Sequence, residues 1–403
     1  MSRRKPIDTK ILEATKEFDA RVFAETVKGM FSDFPDYRRN HKRILYPVWY
    51  LSLVILCGFF CGCNTIEEIA DYAHLQEEWF SSLLGEAVSA PSHGTLWWFL
   101  VKTPPGALKS YIQKWFSKIP GALRDQLLAI DGKRLRGANF LGHITHVVEL
   151  FAADDRLCLA VEKVSDKTVE KSTLPVILEQ VDVEGAIISG DAHFTVPESA
   201  ERIVDAKADY LLAVKENQPS LYAEMENFFD QACAIEWEEV PHSFYQEIDK
   251  GHGRIETREV RVVEDLDWLP NACKWKNLAC LIEVRSTRQK VGSAANEAFR
   301  RFYISSRLAS AENFAKWTRQ HWGIENKCHW IADVIFGEDS NVMDRGNSAE
   351  NMGLFRRLAM NIATVADPER GLAAVRRAAT FGTGYLKGIL AIIFCQNMSN
   401  NFS

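Results

Sequence analysis

Three carboxylates in the sequence occupy positions that suit metal-dependent chemistry. Asp131 follows the apolar run at 127–130, Asp191 follows a second run at 185–190, and Glu325 lies within a predicted helix. Each apolar run predicts a short buried strand that ends at its acid. Ligands of open α/β sheets bind beyond the carboxyl ends of strands, which predicts that Asp131 and Asp191 lie near each other. Carboxylate oxygens are the ligands that Mg²⁺ prefers, and two such ions can promote phosphodiester displacement. With 54 acidic residues in the chain, however, the pattern alone is weak.

The surrounding pattern predicts a mixed sheet with helices packed on it. Residues 146–153 and 157–164 alternate in polarity, which predicts a hairpin, and residues 210–215 form another buried apolar run. Helices are predicted at 170–181 and 197–206, so the order is β-β-β-α-β-α-β. A β-rich segment follows. The helix that carries Glu325 then begins after Ser310, with one apolar face formed by Phe314, Trp317, His321, Ile324, Cys328 and Ile331.

Residues 1–120 have a helical pattern that contains one unusually apolar stretch. Residues 44–63 carry no charge and are just long enough to span a membrane. The alternative is a buried helix of a helical domain, which we favour because a capping box at 65–68 opens another helix directly afterwards.

Composition and charge limit the possible functions. Nine cysteines at irregular positions, without an apolar leader at the N-terminus, favour a reducing, cytoplasmic compartment. The net charge of −6 argues against a protein that coats nucleic acid. Residues 219–249 contain eight acidic residues and no Lys or Arg, so subtracting their −8 from −6 leaves +2 on the rest of the chain.

Several sequence words surround the three acids in a fixed order. They are AIDGKRLRG (129–137), SGDAH (189–193), YLLAVKENQ (210–218), HGRIETR (252–258), HWGIENKCHW (321–330), DVIFGED (333–339) and NSAENMGLFRRLAMN (347–361). Together with DYRR (36–39), TIEEIA (65–70) and PSHGT (91–95), they make the chain resemble DDE transposases of the ISAs-type, H-repeat-associated insertion-sequence family. The resemblance covers roughly residues 28–365.

The resemblance implies a fold and a division of the chain. We expect an α/β fold: an RNase H-like mixed-sheet catalytic core, interrupted by a β-rich insertion and preceded by a helical N-terminal domain. The expected boundaries are a helical domain for DNA-end binding and association at 1–120, the core at 121–218 and 306–366, the acidic insertion at 219–305, and a C-terminal helix and tail at 367–403.

The resemblance also assigns Asp131, Asp191 and Glu325 as the first, second and third catalytic acids, with spacings of 60 and 134 residues. They would hold two Mg²⁺ ions, with Mn²⁺ as a possible substitute. Positions seven and four before Glu325 and seven after it, where many related transposases have Tyr, Arg and Lys, are Thr318, His321 and Ala332 here.

Other residues compete for these roles. Arg319 is a candidate to supply the cation that His321 does not, while Asp333, Glu338 and Asp339 are rival third acids. Glu325 is preferred because its helix and the surrounding word WGIEN match the family. A zinc site formed by His321, Cys328 and His329 is disfavoured because Cys328 lies on the apolar face.

Basic and polar residues near these segments are candidates to bind DNA. They are Arg38, Arg39, Lys42 and Arg43 before the apolar run, Lys133, Arg134 and Arg136 after the first acid, Lys215 and Asn217 after the third buried run, His252, Arg254 and Arg258 in the insertion, and Arg319. The alternatives are a charged helix flank, a solvated hairpin and polar networks. Arg356 and Arg357 are interpreted as partly surface salt-bridge partners, and the tryptophans near Glu325 as core residues.

These observations lead to one main hypothesis and two alternatives. The main hypothesis is a transposase that cleaves the ends of its insertion element and joins them to target DNA by metal-dependent phosphodiester transfer. Double-stranded DNA is the expected partner, with a homodimer on paired ends, no membrane association, and a cytoplasmic, nucleoid-associated location. The alternatives are a catalytically impaired DNA-binding remnant and a non-mobile RNase H-like nuclease.

Overall fold

A computed structural model describes residues 8–38, 44–116, 123–135, 145–164, 172–251, 253–290, 296–341, 343 and 345–396. The N-terminal region is helical, as predicted. Its helices are α1 (Thr9–Lys16), α2 (Ala20–Met30), α3 (Val48–Phe60), α4 (Ile66–Leu75), α5 (Glu77–Leu84), α6 (His93–Lys102) and α7 (Pro105–Phe116). Thr65 and Glu68 form the predicted capping box of α4, with reciprocal side-chain-to-backbone hydrogen bonds.

The uncharged stretch at 44–63 forms the buried helix α3. Twelve of its 13 residues are buried, which confirms the interpretation as a core helix. Within the described part of the chain, no single helix has both the length and the apolar composition to cross a bilayer. One pair, Leu372–Phe381 with Thr383–Cys395, meets both criteria only when its two helices are taken together, and it is bent by 120°.

The chain continues into one nine-stranded sheet with the order β3-β2-β1-β4-β5-β9-β8-β7-β6. Its strands are β1 (Leu127–Leu135), β2 (Thr145–Ala152), β3 (Leu157–Val164), β4 (Ile187–Gly190), β5 (Asp209–Val214), β6 (Ser243–Gly251), β7 (Arg254–Val263), β8 (Cys280–Lys290) and β9 (Asn296–Ser305). Strands β1, β4 and β5 pair in parallel, and β1–β2 and β2–β3 are antiparallel. The first five strands form the RNase H-like core, so the predicted fold class is confirmed.

The insertion extends this sheet. Strand β9 pairs antiparallel with β5, with Leu211 opposite Ser305 and Val214 opposite Phe302, and the next three strands follow as antiparallel neighbours. Residues 296–301 of β9 therefore continue past the last paired residue of β5. At about 3.3 Å per residue, this overhang extends roughly 20 Å beyond the carboxyl end of β5.

Helices cover both faces of the sheet. One face packs against α8 (Leu174–Gln180), α9 (Pro197–Asp205) and α10 (Pro219–Ala234) through a core that includes Leu128 and Ile130. The other face packs against α11 (Ala311–His321) and α12 (Ser348–Ala366). Alternate residues of a strand point to opposite faces, so Asp131 and Lys133 point to the α11–α12 side.

The end of the chain packs on its beginning. Residues after α12 form α13 (Leu372–Phe381) and α14 (Thr383–Ala391), and a π-helical turn follows at Ile392–Gln396. Thr15 of α1 donates a hydrogen bond to the carbonyl of Gly384 at 2.9 Å, and the rings of Phe23 and Phe394 lie 5.5 Å apart. The terminal helices thus share one core with α3 and α12.

The contact between α1 and α14 requires a residue without a side chain at position 388. A Cβ atom there would collide with the Ile11 carbonyl oxygen and the Thr15 hydroxyl. We expect Gly388→Ala to lower the free energy of unfolding by about 1–3 kcal/mol, measured by urea titration.

Gly29→Ala is the matched control, because Gly29 also lies in a helix but a Cβ atom added there would have no neighbouring atom within 4 Å. This variant should gain up to about 1 kcal/mol from helix propensity. Equal unfolding midpoints for the two variants would contradict the close approach of α1 and α14.

Candidate active site

The first candidate acid lies inside a strand rather than at its end. The prediction that the strand ends at Asp131 was wrong, because β1 continues to Leu135 through antiparallel pairing with β2. The parallel pairing with β4 does end there, with Ile130 opposite Gly190 as its last pair. Asp191 follows Gly190 directly, and its Oδ1 accepts a hydrogen bond from the His193 backbone at 2.9 Å. The two aspartates thus follow neighbouring positions of parallel strands.

Glu325 approaches from the helical layer. The long helix predicted here begins as α11, capped by Ser310, but continues as two π-helical segments, Glu325–His329 and Ile331–Ile335. Such segments are rare and often occur at functional sites. The predicted apolar face is confirmed by Phe314, Ile324 and Cys328, which are fully buried, whereas Glu325 itself is exposed.

Asp131 lies within electrostatic range of the other two candidate acids. Burial raises its pKa to about 6, and the negative charges of Asp191 and Glu325 also raise it, while His329 and the Gly132 N–H oppose the shift. A cluster of oxygen donors whose charges repel one another is the environment that a bound divalent cation stabilises. The donor set therefore fits Mg²⁺ or Mn²⁺.

Two histidines flank Glu325, four residues before and four residues after it. His321 Nδ1 lies 2.9 Å from the Ser189 hydroxyl of β4, and burial lowers the pKa of His321 to about 4, so its ring is neutral at physiological pH. His329 Nδ1 lies 3.8 Å from Asp131 Oδ2. Its other ring nitrogen, Nε2, lies 3.3 Å from Glu149 Oε2. Burial disfavours charged His329, but the Glu149 and Asp131 carboxylates outweigh burial and raise its pKa.

A buried ion-pair network lies beneath the acids. Arg357 of α12 donates to Glu149 of β2 at 2.8 Å and to Glu338 at 2.7 Å, and Lys133 of β1 donates to Glu338 at 2.7 Å and also pairs with Asp333. Burial penalises these charges, but Arg357 and Lys133 lower the pKa of Glu338 to about 2. The network joins the sheet to α12 and to the segment after the π-helical turns.

This network corrects three predictions. Lys133 is only 7% exposed and is paired inside the protein, so it is not a DNA-binding residue. Arg356 and Arg357 are 0% and 3% exposed, so they are not surface residues. Among the rival third acids, Glu338 is buried with both oxygens paired, and Asp333 pairs with Lys133.

The other candidates for DNA binding divide into three groups: residues with internal contacts, exposed residues, and residues outside the described part of the chain. Those engaged in internal contacts are Arg38 (Asp36 and the Tyr46 carbonyl), Asn217 (the Ala192 and Thr195 carbonyls), Arg258 (Glu247 and Glu256) and Arg319 (Glu247 and Asp249). Those that are exposed, without an ion-pair partner among the described residues, are Arg134, Lys215 and Arg254. Arg134 lies on the opposite face of β1 from Asp131. Arg39, Lys42, Arg43, Arg136 and His252 lie outside the described residues.

Sequence reasoning missed Arg301, and it misassigned two tryptophans near Glu325. Arg301 lines a cavity of about 570 Å³ together with Asp191 and Lys215, and its guanidinium lies 4.9 Å from the centre of the Trp322 ring. Trp322 is 39% exposed and Trp330 53% exposed, so the prediction that they are core residues was wrong. The sequence already indicated that these two tryptophans are exposed, because neither falls on the apolar face of the helix.

The cysteines near the site make a separate, buried cluster. Cys328 Sγ donates to Glu149 Oε2 at 3.1 Å, and Cys158 lies close enough to complete a possible metal-ligand group. Arg357 already pairs with Glu149, and the pKa of Cys328 is raised well above its usual value by hydrogen bonding to Cys158 and by burial. These residues are therefore interpreted as hydrogen-bonded core residues. Among the described residues, the ligand atoms of His321, Cys328 and His329 do not form a metal-binding group, and His321 contacts Ser189.

Removing the central cation tests the buried network. Arg357→Ala would leave Glu149 and Glu338 buried with fewer partners, so we expect a loss of about 3–5 kcal/mol in the free energy of unfolding, measured by urea titration. Arg377→Ala, on the exposed face of α13, should change stability by less than about 0.5 kcal/mol. A similar small effect of both substitutions would exclude a stabilising role for the network.

Comparisons with known proteins agree with this architecture. Residues 28–116 match the family model described as DDE_Tnp_1-associated, and residues 123–362 match the one described as Transposase DDE domain. The chain is 30% identical over 376 residues to "Putative transposase YncI" of Escherichia coli O157:H7, covering 91% of this chain and 95% of that protein. It is also 30% identical over 368 residues to "H repeat-associated putative transposase YhhI" of Escherichia coli (strain K12), covering 89% and 96%.

Among solved structures, the piggyBac transposase synaptic complex with hairpin DNA aligns with a TM-score of 0.44 and 10% identity. The alignment covers 98% of this chain and 82% of that one.

Proposed function

This chain belongs to the Transposase DDE domain family, and from that membership we propose that it cleaves the ends of an insertion element and joins them to target DNA. The observation that supports this reaction is that Asp131 and Asp191 follow directly paired residues of the parallel strands β1 and β4, and that the charges of Asp191 and Glu325 both act on Asp131. Carboxylates grouped in this way would suit two-metal phosphodiester chemistry.

The three acids have defined roles in the proposed reaction. Asp131, Asp191 and Glu325 would hold two Mg²⁺ ions, which Mn²⁺ could replace. When bound, these ions would activate an attacking oxygen and stabilise the leaving one. The protein's own contribution is to hold the carboxylates on rigid elements and to position the DNA strand. A water-derived oxygen would displace the 3′ oxygen at the element end, and the freed 3′-hydroxyl would then displace the corresponding oxygen in target DNA.

Duplex DNA is the proposed partner for both steps. Lys215 and Arg301 line the cavity beside Asp191, so they are placed to contact phosphates next to the reacting one. Arg134 and Arg254 are exposed and extend the set of cations to other parts of the sheet. A homodimer on paired ends and a location at the nucleoid in the cytoplasm are further parts of the proposal. The cytoplasmic location is in keeping with the nine cysteines, all of which are free.

Single substitutions test the catalytic role of the acids. We expect Asp131→Ala, Asp191→Ala and Glu325→Ala each to lower Mg²⁺-dependent cleavage of a duplex carrying the element ends by more than about 10²-fold. Cleavage is measured on end-labelled DNA, and circular dichroism checks that each variant is folded.

Asp339→Ala is the matched control among the rival acids, and it should keep most of the activity. Loss of cleavage in Asp339→Ala with full activity in Glu325→Ala would reassign the third acid. Wild-type protein that binds and shifts the DNA but never nicks it, with Mg²⁺ or Mn²⁺, would favour the DNA-binding remnant. Cleavage without strand transfer would favour a nuclease.

A second experiment tests the proposed phosphate contact of Lys215. Lys215→Ala should weaken DNA binding for all sequences and should reduce the slope of log K against log salt concentration by about one. Lys207→Ala is the control, because Lys207 is also exposed but pairs with Glu184 and precedes β5, at the opposite end of that strand from Lys215. Fluorescence anisotropy at several salt concentrations measures both. Equal slopes for the two variants would remove Lys215 from the DNA interface.

A further inference from the structure

We propose that His329 is a positioning residue that orients the Asp131 carboxylate for metal binding. This inference rests on the proposed function, because it assumes that Asp131 is a metal ligand. It concerns a residue that neither the family resemblance nor the basic-residue pattern assigns to the reaction.

The register of the sheet places His329 between two carboxylates. Asp131 of β1 and Glu149 of β2 are direct cross-strand partners. The π-helical segment that begins at Glu325 ends at His329, whose ring reaches both of them. Its Nδ1 lies 3.8 Å from Asp131 Oδ2, and its Nε2 lies 3.3 Å from Glu149 Oε2. This π-helical segment therefore carries the candidate metal ligand Glu325 at its start and, at its end, His329, which lies beside the candidate metal ligand Asp131.

A fixed carboxylate lies behind the ring. Glu149 is 0% exposed, and its Oε1 accepts a hydrogen bond from Arg357 Nε at 2.8 Å, which leaves Oε2 facing His329 and Cys328. The His329 side chain is 11% exposed, and its backbone carbonyl lies 3.4 Å from Lys133 Nζ. Because Arg357 fixes Glu149, Glu149 Oε2 is a fixed acceptor 3.3 Å from the buried Nε2, which makes no hydrogen bond with a described residue.

The front of the ring faces the candidate metal ligand. Asp131 Oδ1 accepts a hydrogen bond from the Gly132 N–H at 2.8 Å, and Oδ2 is the atom nearest His329. The distance of 3.8 Å exceeds a hydrogen bond, but active-site contacts of this kind commonly shorten when the ligand binds. Donors that orient a metal-bound group typically contribute about 10- to 100-fold in metal affinity.

Two substitutions of similar size separate this role from a merely structural one. In His329→Asn, the amide nitrogen takes the place of Nδ1 and keeps the donor that faces Asp131. In His329→Gln, the amide nitrogen takes the place of Nε2 and keeps only the donor that faces Glu149. Positioning of Asp131 predicts that the asparagine variant binds metal as the wild type does, and that the glutamine variant does not.

The experiment measures the dissociation constant of Mn²⁺ alone for the full chain by isothermal titration calorimetry. We expect wild-type affinity for His329→Asn and a roughly 10- to 100-fold weaker affinity for His329→Gln. Wild-type affinity in His329→Gln would overturn the proposal. Equal weakening in both variants would also overturn it, because it would mean that His329 does not act through the donor that faces Asp131. If the glutamine variant does not fold, His329→Ala replaces it in the comparison with His329→Asn.

Two controls separate failure of this inference from failure of the proposed function. Asp131→Ala should lose Mn²⁺ binding, and wild-type affinity in that variant would remove the metal site itself. His74→Asn, on the exposed face of α4, should leave the affinity unchanged. If Asp131→Ala loses the metal while His329→Asn and His329→Gln both bind normally, the metal site stands and only the role of His329 is rejected.

Discussion

The pairing of Arg357 with Glu149 and Glu338 is the interaction on which the candidate site depends. All three side chains are nearly inaccessible to water, so each charge is tolerated only because the others neutralise it. Glu149 lies on the sheet, Glu338 lies after the π-helical turns, and Arg357 lies on the central helix α12. Hydrogen bonds between charged groups are directional, whereas apolar packing is not. This network therefore fixes the position of the helical layer relative to the sheet.

The network also explains which acids remain available for chemistry. Side chains of β1 alternate between the two faces, so Asp131 and Lys133 both point toward the helices. Lys133 pairs with Glu338 and Asp333 and removes them from competition for a metal ion. Asp131, Asp191 and Glu325 are left without such a cation between them, and burial together with the charges of Asp191 and Glu325 raises the pKa of Asp131 against the opposing effect of His329. A structural ion cluster and a candidate metal site thus lie side by side and use the same residue types for different purposes.

The acidic segment of the chain has a structural explanation of the same kind. Glu247 and Asp249 of β6 pair with Arg319 of α11, and Glu247 also pairs with Arg258 of β7. These acids therefore neutralise cations that sequence alone assigned to DNA. The overall charge of −6 conceals a division between internally paired cations and exposed ones such as Lys215 near Asp191.

The sequence by itself determined the order of the elements in the core, the buried character of α3 and the apolar face of the Glu325 helix, because these depend on local periodicity. The RNase H-like fold class followed from the resemblance to a known family. It also marked Asp131, Asp191 and Glu325 through their surrounding words. Only the tertiary structure decided that Lys133 and Arg357 are internal and that His329 lies between Asp131 and Glu149. Charge partners such as Glu149 and Arg357 are 208 residues apart, and sheet register and helix docking, which no local pattern encodes, bring them together.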